Sequence, residues 1–224
     1  MKKLVIAIDG PAGSGKSTIG RELAKQLGIN YFSTGALYRA LGLKCIQLGL
    51  DAKSPKNAEF IAKNTHLDIK FVGSEQHVLL DGIDVSSDLY KAEVSDFASQ
   101  ISVHPIIRHK MVELQKSIAE KNSIVMDGRD IGSVVLPNAD LKFYLDADVK
   151  VRAKRRYDEL VAKGQNVSFE NVLDEMIERD RRDKEREVSP LIVCKDAHII
   201  DCSNLNIQQV VDKFVEIIKR ENKA

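Results

Sequence analysis

Short apolar runs rich in β-branched residues recur along this chain, separated by longer amphipathic stretches. Leu4–Ile8 is the first, short enough for a buried strand. From Thr18 to Leu27, Ile19, Leu23 and Leu27 recur at helical spacing, and Gly28 supplies a stop. Ser123–Met126, Leu141–Leu145 and His198–Ile200 have the same buried-strand character, and each run is followed by an aspartate: Asp127, Asp146 and Asp201. Strands alternating with helices predict an α/β fold, a mostly parallel sheet with helices on both faces. Right-handed crossovers then place the loops after the strands on one sheet edge, where ligands bind.

Residues 66–85 break that rhythm. His66–Val72 alternates, Gly73-Ser74-Glu75 is turn-like, Val78–Leu80 is apolar, and Asp81-Gly82 is a hairpin signal leading to Ile83–Val85. This predicts a small antiparallel meander inserted between helices. Three short strands are barely stable alone, so it is expected to pack on the main sheet or on a substrate. Further on, two charged helices are predicted over 148–164 and 169–187, joined by a Gly164–Ser168 loop and ended by Pro190.

Between the first strand and the first helix lies Gly10-Pro11-Ala12-Gly13-Ser14-Gly15-Lys16-Ser17, which fits G-x-x-x-x-G-K-[ST]. Glycines let successive backbone N–H groups curl around one anion. The helix that starts near Lys16 adds its positive end. Lys16 can reach the β- and γ-phosphates, the Ser17 hydroxyl can sit on Mg²⁺, and Thr18 continues the loop into the helix. Strand, glycine loop and helix in this order predict a nucleoside triphosphate site.

Composition narrows the reading. The 224 residues suit one sizeable domain with an insertion, and 43% hydrophobic residues can fill its core. With 34 Lys and Arg against 33 Asp and Glu, a broad nucleic-acid or membrane footprint is not expected. No stretch approaches the ~18 apolar residues of a membrane span. Cys45, Cys194 and Cys202 lack metal spacing and read as free thiols of a reducing, cytoplasmic compartment. No Asn/Thr-Lys-x-Asp segment is present, which argues against a guanine-specific switch. No long apolar surface stripe is evident, so a monomer is expected.

Several further segments act together. Ser33–Arg39, Ala98-Ser99-Gln100, Asp127-Gly128-Arg129-Asp130 and Glu178–Asp183, ending at Ser189-Pro190-Leu191, resemble in this order the bacterial cytidylate kinase family. The likeness runs from the first strand to the last helix. It implies ATP as donor, CMP or dCMP as acceptor, and Mg²⁺. It implies a core of about 1–60, 105–148 and 188–224, an acceptor-nucleotide insertion of about 61–104 and a lid of about 149–187. In that pattern Lys16, Arg129, Arg155 and Arg156 are catalytic, the last two closing over the transferring phosphoryl. Arg39 and Arg129 hold the acceptor phosphate, with Thr34 beside them. Ser99, Arg108 and Asp130 face cytosine, whose N4 donates and whose N3 and O2 accept. Arg179 and Asp183 take the sugar, with Arg186 nearby. Asp127 either helps hold Mg²⁺ through water or caps its turn. The acceptor phosphate is already ionised near neutral pH, its second pKa being about 6, so no general base is expected. A kinase of another small acceptor, or a slowly hydrolysing regulatory switch, is the competing expectation.

Overall fold

In the computed structural model, which describes residues 3–221, five parallel strands form the central sheet. They are β1 (Val5–Asp9), β2 (Asn30–Ser33), β6 (Ile124–Gly128), β7 (Leu141–Asp146) and β8 (His198–Asp201), in the order β2-β6-β1-β7-β8. The register sets Asp9 of β1 opposite Gly128 of β6 and Tyr144 of β7. Every residue of β1 is buried, as its unbroken apolar pattern requires of a central parallel strand. Strand β2 carries only Tyr31 and Phe32 as apolar residues, too short a run to stand out in the sequence. Asp127 and Gly128 lie inside β6, which runs two residues beyond the apolar run that ends at Met126.

Helices cover both faces. On one face, α1 (Lys16–Leu27) and α8 (Ile207–Glu221) pack Ile19, Leu23, Val210 and Phe214 on Ile6, Ile8, Phe143 and Leu145. Phe143 and Phe214 stack with ring centroids 4.2 Å apart. The other face buries residues of α2 (Thr34–Leu48), α3 (Pro55–Asn64), α4 (Ala92–Ile101) and α5 (Pro105–Lys121) against Ala7, Phe32, Ile124 and Met126. Helices α2 and α4 approach closely because position 42 is glycine: a Cβ there would lie 2.7 Å from the Ala98 nitrogen.

The predicted meander is present as β3 (Leu67–Val72), β4 (Glu75–Leu80) and β5 (Ile83–Asp84), all antiparallel. It docks on the edge of the main sheet. The Gln76 side chain accepts from Ser33 N at 2.8 Å and donates to Ser33 O at 3.3 Å. One amide thus satisfies the backbone of an edge strand.

The two charged helices are α6 (Val149–Ala162) and α7 (Phe169–Glu185). They share a small apolar cluster of their own: Ala153, Leu160, Val172 and Met176. Helix α7 ends two residues before the predicted limit. Arg186 is already extended, Ser189 takes a left-handed φ of 54°, and Leu191 N turns back to Asp183 O at 2.8 Å. Pro190 therefore follows the turn and does not itself end the helix. Among the described residues, no helix is long and apolar enough to cross a membrane.

Candidate active site

The glycine loop leaves β1 with Gly10, where a Cβ would lie 2.1 Å from the Leu145 carbonyl oxygen. Gly13 and Gly15 hold φ of 73° and 94°, left-handed values that other residues rarely adopt. Lys16 is 5% exposed, and its Nζ donates to Pro11 O at 2.6 Å and Ser14 Oγ at 3.2 Å. Burial, helped by Arg129, holds its ammonium well below the usual lysine range, while Asp127, Asp183 and Asp9 oppose the shift.

Ser17 and Thr18 are exposed at the start of α1. Ser17 Oγ donates to Asp127 Oδ2 at 3.0 Å, and Tyr31 OH donates to Asp127 Oδ1 at 2.8 Å. Thr34 Oγ1 donates to the Asp127 carbonyl at 2.8 Å. Gly128 makes room for that bond, since a Cβ there would sit 2.7 Å from Thr34 Oγ1. The first residues of α2 are thereby fastened to the end of β6.

Beyond β6 the residues expected on the acceptor side converge. Arg108 Nη2 donates to Asp130 Oδ2 at 2.5 Å, their side chains 1% and 7% exposed. Arg186 lies 3.6 Å from both Asp130 Oδ1 and Asp183 Oδ1. Arg129 Nε donates to Asp183 Oδ2 at 2.7 Å. Arg108, Asp130, Arg186, Asp183 and Arg129 thus form one chain of alternating charge. Burial raises the Asp183 carboxyl, yet Arg129, Arg179 and Arg186 outweigh it and hold it below the usual range. Burial first, then Arg129, pushes Arg179 down to about 10. Nε of Arg108, Nε of Arg179 and Nη2 of Arg186 are buried without a hydrogen-bond partner. Ser99 is half-buried on α4, and its carbonyl accepts from Ser102 Oγ; Ser102 O in turn accepts from Arg108 Nη1 at 3.4 Å. Arg39 lies over the Tyr90 ring, 5.3 Å from its centroid.

The three arginines of α6 diverge. Arg152 is 4% exposed, donating to Ala147 O, to Ala12 O of the glycine loop at 2.9 Å and to Asp180 of α7 at 2.6 Å. Arg155 donates to Cys202 O at 2.8 Å, on the β8–α8 loop. Arg156 pairs with Glu159 and lines a cavity of about 400 Å³ with Tyr90, Lys91 and Lys163. Arg155 and Arg156 therefore stand outside the buried chain of charge, whereas Arg152 touches the glycine loop directly.

The family model for cytidylate kinase matches residues 6–220. The chain belongs to the cytidylate kinase family. Cytidylate kinase of Caldicellulosiruptor saccharolyticus is 46% identical over 217 residues, 97% of this chain and 96% of that protein. That of Clostridioides difficile is 44% identical over 97% of this chain and 99% of its own, and that of Bacillus subtilis 41% over 99% of each. Shikimate kinase from Bacteroides thetaiotaomicron shares the fold at TM-score 0.51 and 12% identity, covering 96% of this chain and 98% of that one. This member of the cytidylate kinase family is a nucleoside monophosphate kinase, and its reaction is ATP-dependent phosphorylation of CMP or dCMP.

Several residues of this cytidylate kinase site are given no role by the sequence reading. Tyr38 lies against Arg108, whose guanidinium carbon is 5.6 Å from the ring centroid, and Tyr31 braces Asp127. Asp180 balances Arg152, and Asp9 binds the backbone beyond Asp130. Each partner lies on a distant element, so spacing along the chain gives no cue.

Proposed function

We propose that ATP lies along Gly10–Thr18 and that CMP or dCMP lies across Arg39, Arg129, Arg108, Asp130, Arg179, Asp183 and Arg186. Phosphoryl transfer asks for positioning and charge neutralisation more than for covalent chemistry. Lys16 neutralises charge on the transferring group. Arg39 and Arg129 orient the acceptor phosphate, whose ionised oxygen attacks without a general base. Arg155 and Arg156 approach the donor as the α6–α7 lid closes and excludes water. The observation that carries the base assignment is the buried Arg108–Asp130 pair. Asp130 accepts from cytosine N4, Arg108 donates to N3 and O2, and Ser99 adds a polar edge. The unpartnered N–H groups of Arg108, Arg179 and Arg186 are spare donors suited to an oxygen-rich ligand.

Mg²⁺ suits the residues present. Ser17 offers an exposed hydroxyl oxygen, and Asp127 holds a carboxylate 3.0 Å from it. Magnesium prefers oxygen ligands, keeps several waters and takes the rest from substrate phosphates. Ser17 would bind it directly and Asp127 through water. Bound there, the ion would neutralise the β- and γ-phosphates.

We further infer a cytoplasmic monomer that binds no nucleic acid. The free Cys45, Cys194 and Cys202, the near-zero net charge and a site built within one chain support this.

A coupled assay of ADP formation across CMP, dCMP, UMP, AMP and GMP tests the reading. CMP and dCMP are expected to exceed the others in kcat/KM by more than tenfold. Preference for another acceptor, or equal ATP turnover with none, would overturn it.

A further inference from the structure

Asp130 stands at the N-cap position of a single π-helical turn, Ile131–Val135, yet its side chain caps nothing. Aspartate is among the best N-caps, so its diversion calls for a substitute. The Asp130 carboxylate is turned to Arg108 and Arg186 instead. Another acid meets the orphan N–H groups of the turn. Ile131 N donates to Asp9 Oδ1 and Gly132 N to Asp9 Oδ2, both at 2.8 Å. Asp9 is 4% exposed and ends β1, immediately before the glycine loop.

We propose that Asp9 is a positioning residue for base selection: it caps the turn in place of Asp130, leaves that carboxylate to face the acceptor base, and locks it in register with the glycine loop. This rests on the assignment of Asp130 to the base. The topology makes the arrangement direct. Strands β1 and β6 are parallel neighbours with Asp9 opposite Gly128, so the segment leaving β6 starts beside Asp9. Only a carboxylate offers two equivalent acceptors to two successive N–H groups. Burial opposes the charge that this requires, raising the Asp9 carboxyl to about 6; the two amides and Lys16 pull the other way, and Asp130 pushes it further up. A buried carboxylate is a poor choice for stability alone. A role in holding Asp130 accounts for it.

The test is Asp9→Asn, which keeps the size but presents one acceptor and turns an amide donor toward the second N–H. kcat/KM for CMP and UMP and KM for ATP are compared with wild type, with fold checked by circular dichroism. The CMP-over-UMP preference is expected to fall at least tenfold while KM for ATP stays within twofold. Equal losses for CMP and UMP, or an unchanged preference, would overturn the proposal. A wild-type enzyme without cytosine preference would overturn the proposed function and this inference together. A preference that survives Asp9→Asn sinks the inference alone. If the variant does not fold, amide hydrogen exchange in wild type decides. Protection of Ile131 and Gly132 matching Ile6–Ile8 supports the brace, and exchange as fast as the 164–168 loop refutes it.

Discussion

Arg129 and Asp183 are joined at 2.7 Å across 54 residues of sequence, tying the end of β6 to helix α7. These two residues are also the ones proposed to hold the acceptor's phosphate and its sugar. The nucleotide must therefore bind among groups that already neutralise one another. Asp183→Asn keeps the shape and removes the charge that offsets Arg129, Arg179 and Arg186. Breaking a buried pair on one side costs about 3–5 kcal/mol. Thermal unfolding should show a clear fall in Tm, and kcat/KM for CMP should fall by at least tenfold. Wild-type values for both would show the pair to be incidental.

Lys16 is buried against its own loop carbonyl, where its ammonium gains little stability. Lys16→Ala should lower kcat by on the order of 10²-fold or more, because one preorganised charge at the transferring group is lost. Tm should hold or rise. Near-normal turnover of the folded variant would remove Lys16 from the mechanism.

Arg152 and Arg156 share one helix but should fail differently. Arg152→Ala strands the buried Asp180 and cuts the bond to Ala12, so Tm and kcat should both drop. Arg156→Ala should leave Tm almost unchanged, since its pair with Glu159 is near the surface. It should lower kcat more than it raises KM. Paired measurements of Tm and steady-state constants check the contrast.

Asp9 and Asp183 titrate in opposite senses. The Asp9 pKa, raised from 3.8 to about 6 by burial, favours the protonated form in the folded protein. Its contribution is complete below pH 4 and is lost as pH rises through about 6. Lys16 and Asp130 face it, as do Tyr144 and Cys194, both of which it pushes upward. Wild-type stability relative to Asp9→Asn should decline by about 3 kcal/mol from pH 4 to pH 7 and stay level above. The depressed Asp183 carboxyl works the other way: its contribution is present above pH 4 and lost below. Urea unfolding of both proteins across this range gives the slope. A flat difference would mean that Asp9 ionises normally.

What the sequence disclosed follows from how local each feature is. The glycine loop is contiguous, so its residues and their strand–helix setting could be read together. Strands β1, β6 and β7 are buried apolar runs; β8, expected to be buried as well, lies at the sheet edge with Ile200 buried and Ile199 64% exposed, and β2, with only Tyr31 and Phe32, leaves no such trace. Helical spacing placed Arg152, Arg155 and Arg156 on α6, but not which of them turns inward to Ala12. Pro190 marks where α7 cannot continue, while the left-handed Ser189 and the Leu191 bond to Asp183 decide the stop. The cap that Asp9 gives Ile131 and Gly132 spans more than a hundred residues and exists only once β1 and β6 are adjacent.

The central claim is that the buried Arg108–Asp130 pair reads cytosine. Uracil carries a carbonyl oxygen where cytosine carries the N4 amino group, so an ionised Asp130 faces an acceptor. The deciding measurement is kcat/KM for CMP and UMP in wild type and Asp130→Asn, with fold verified. Asparagine keeps a partner for Arg108 and can donate to the uracil O4. CMP should lose ~1–3 kcal/mol of kcat/KM, roughly 5- to 150-fold, while UMP loses little or gains. Equal losses on both substrates would contradict the claim and leave Asp130 a structural partner of Arg108.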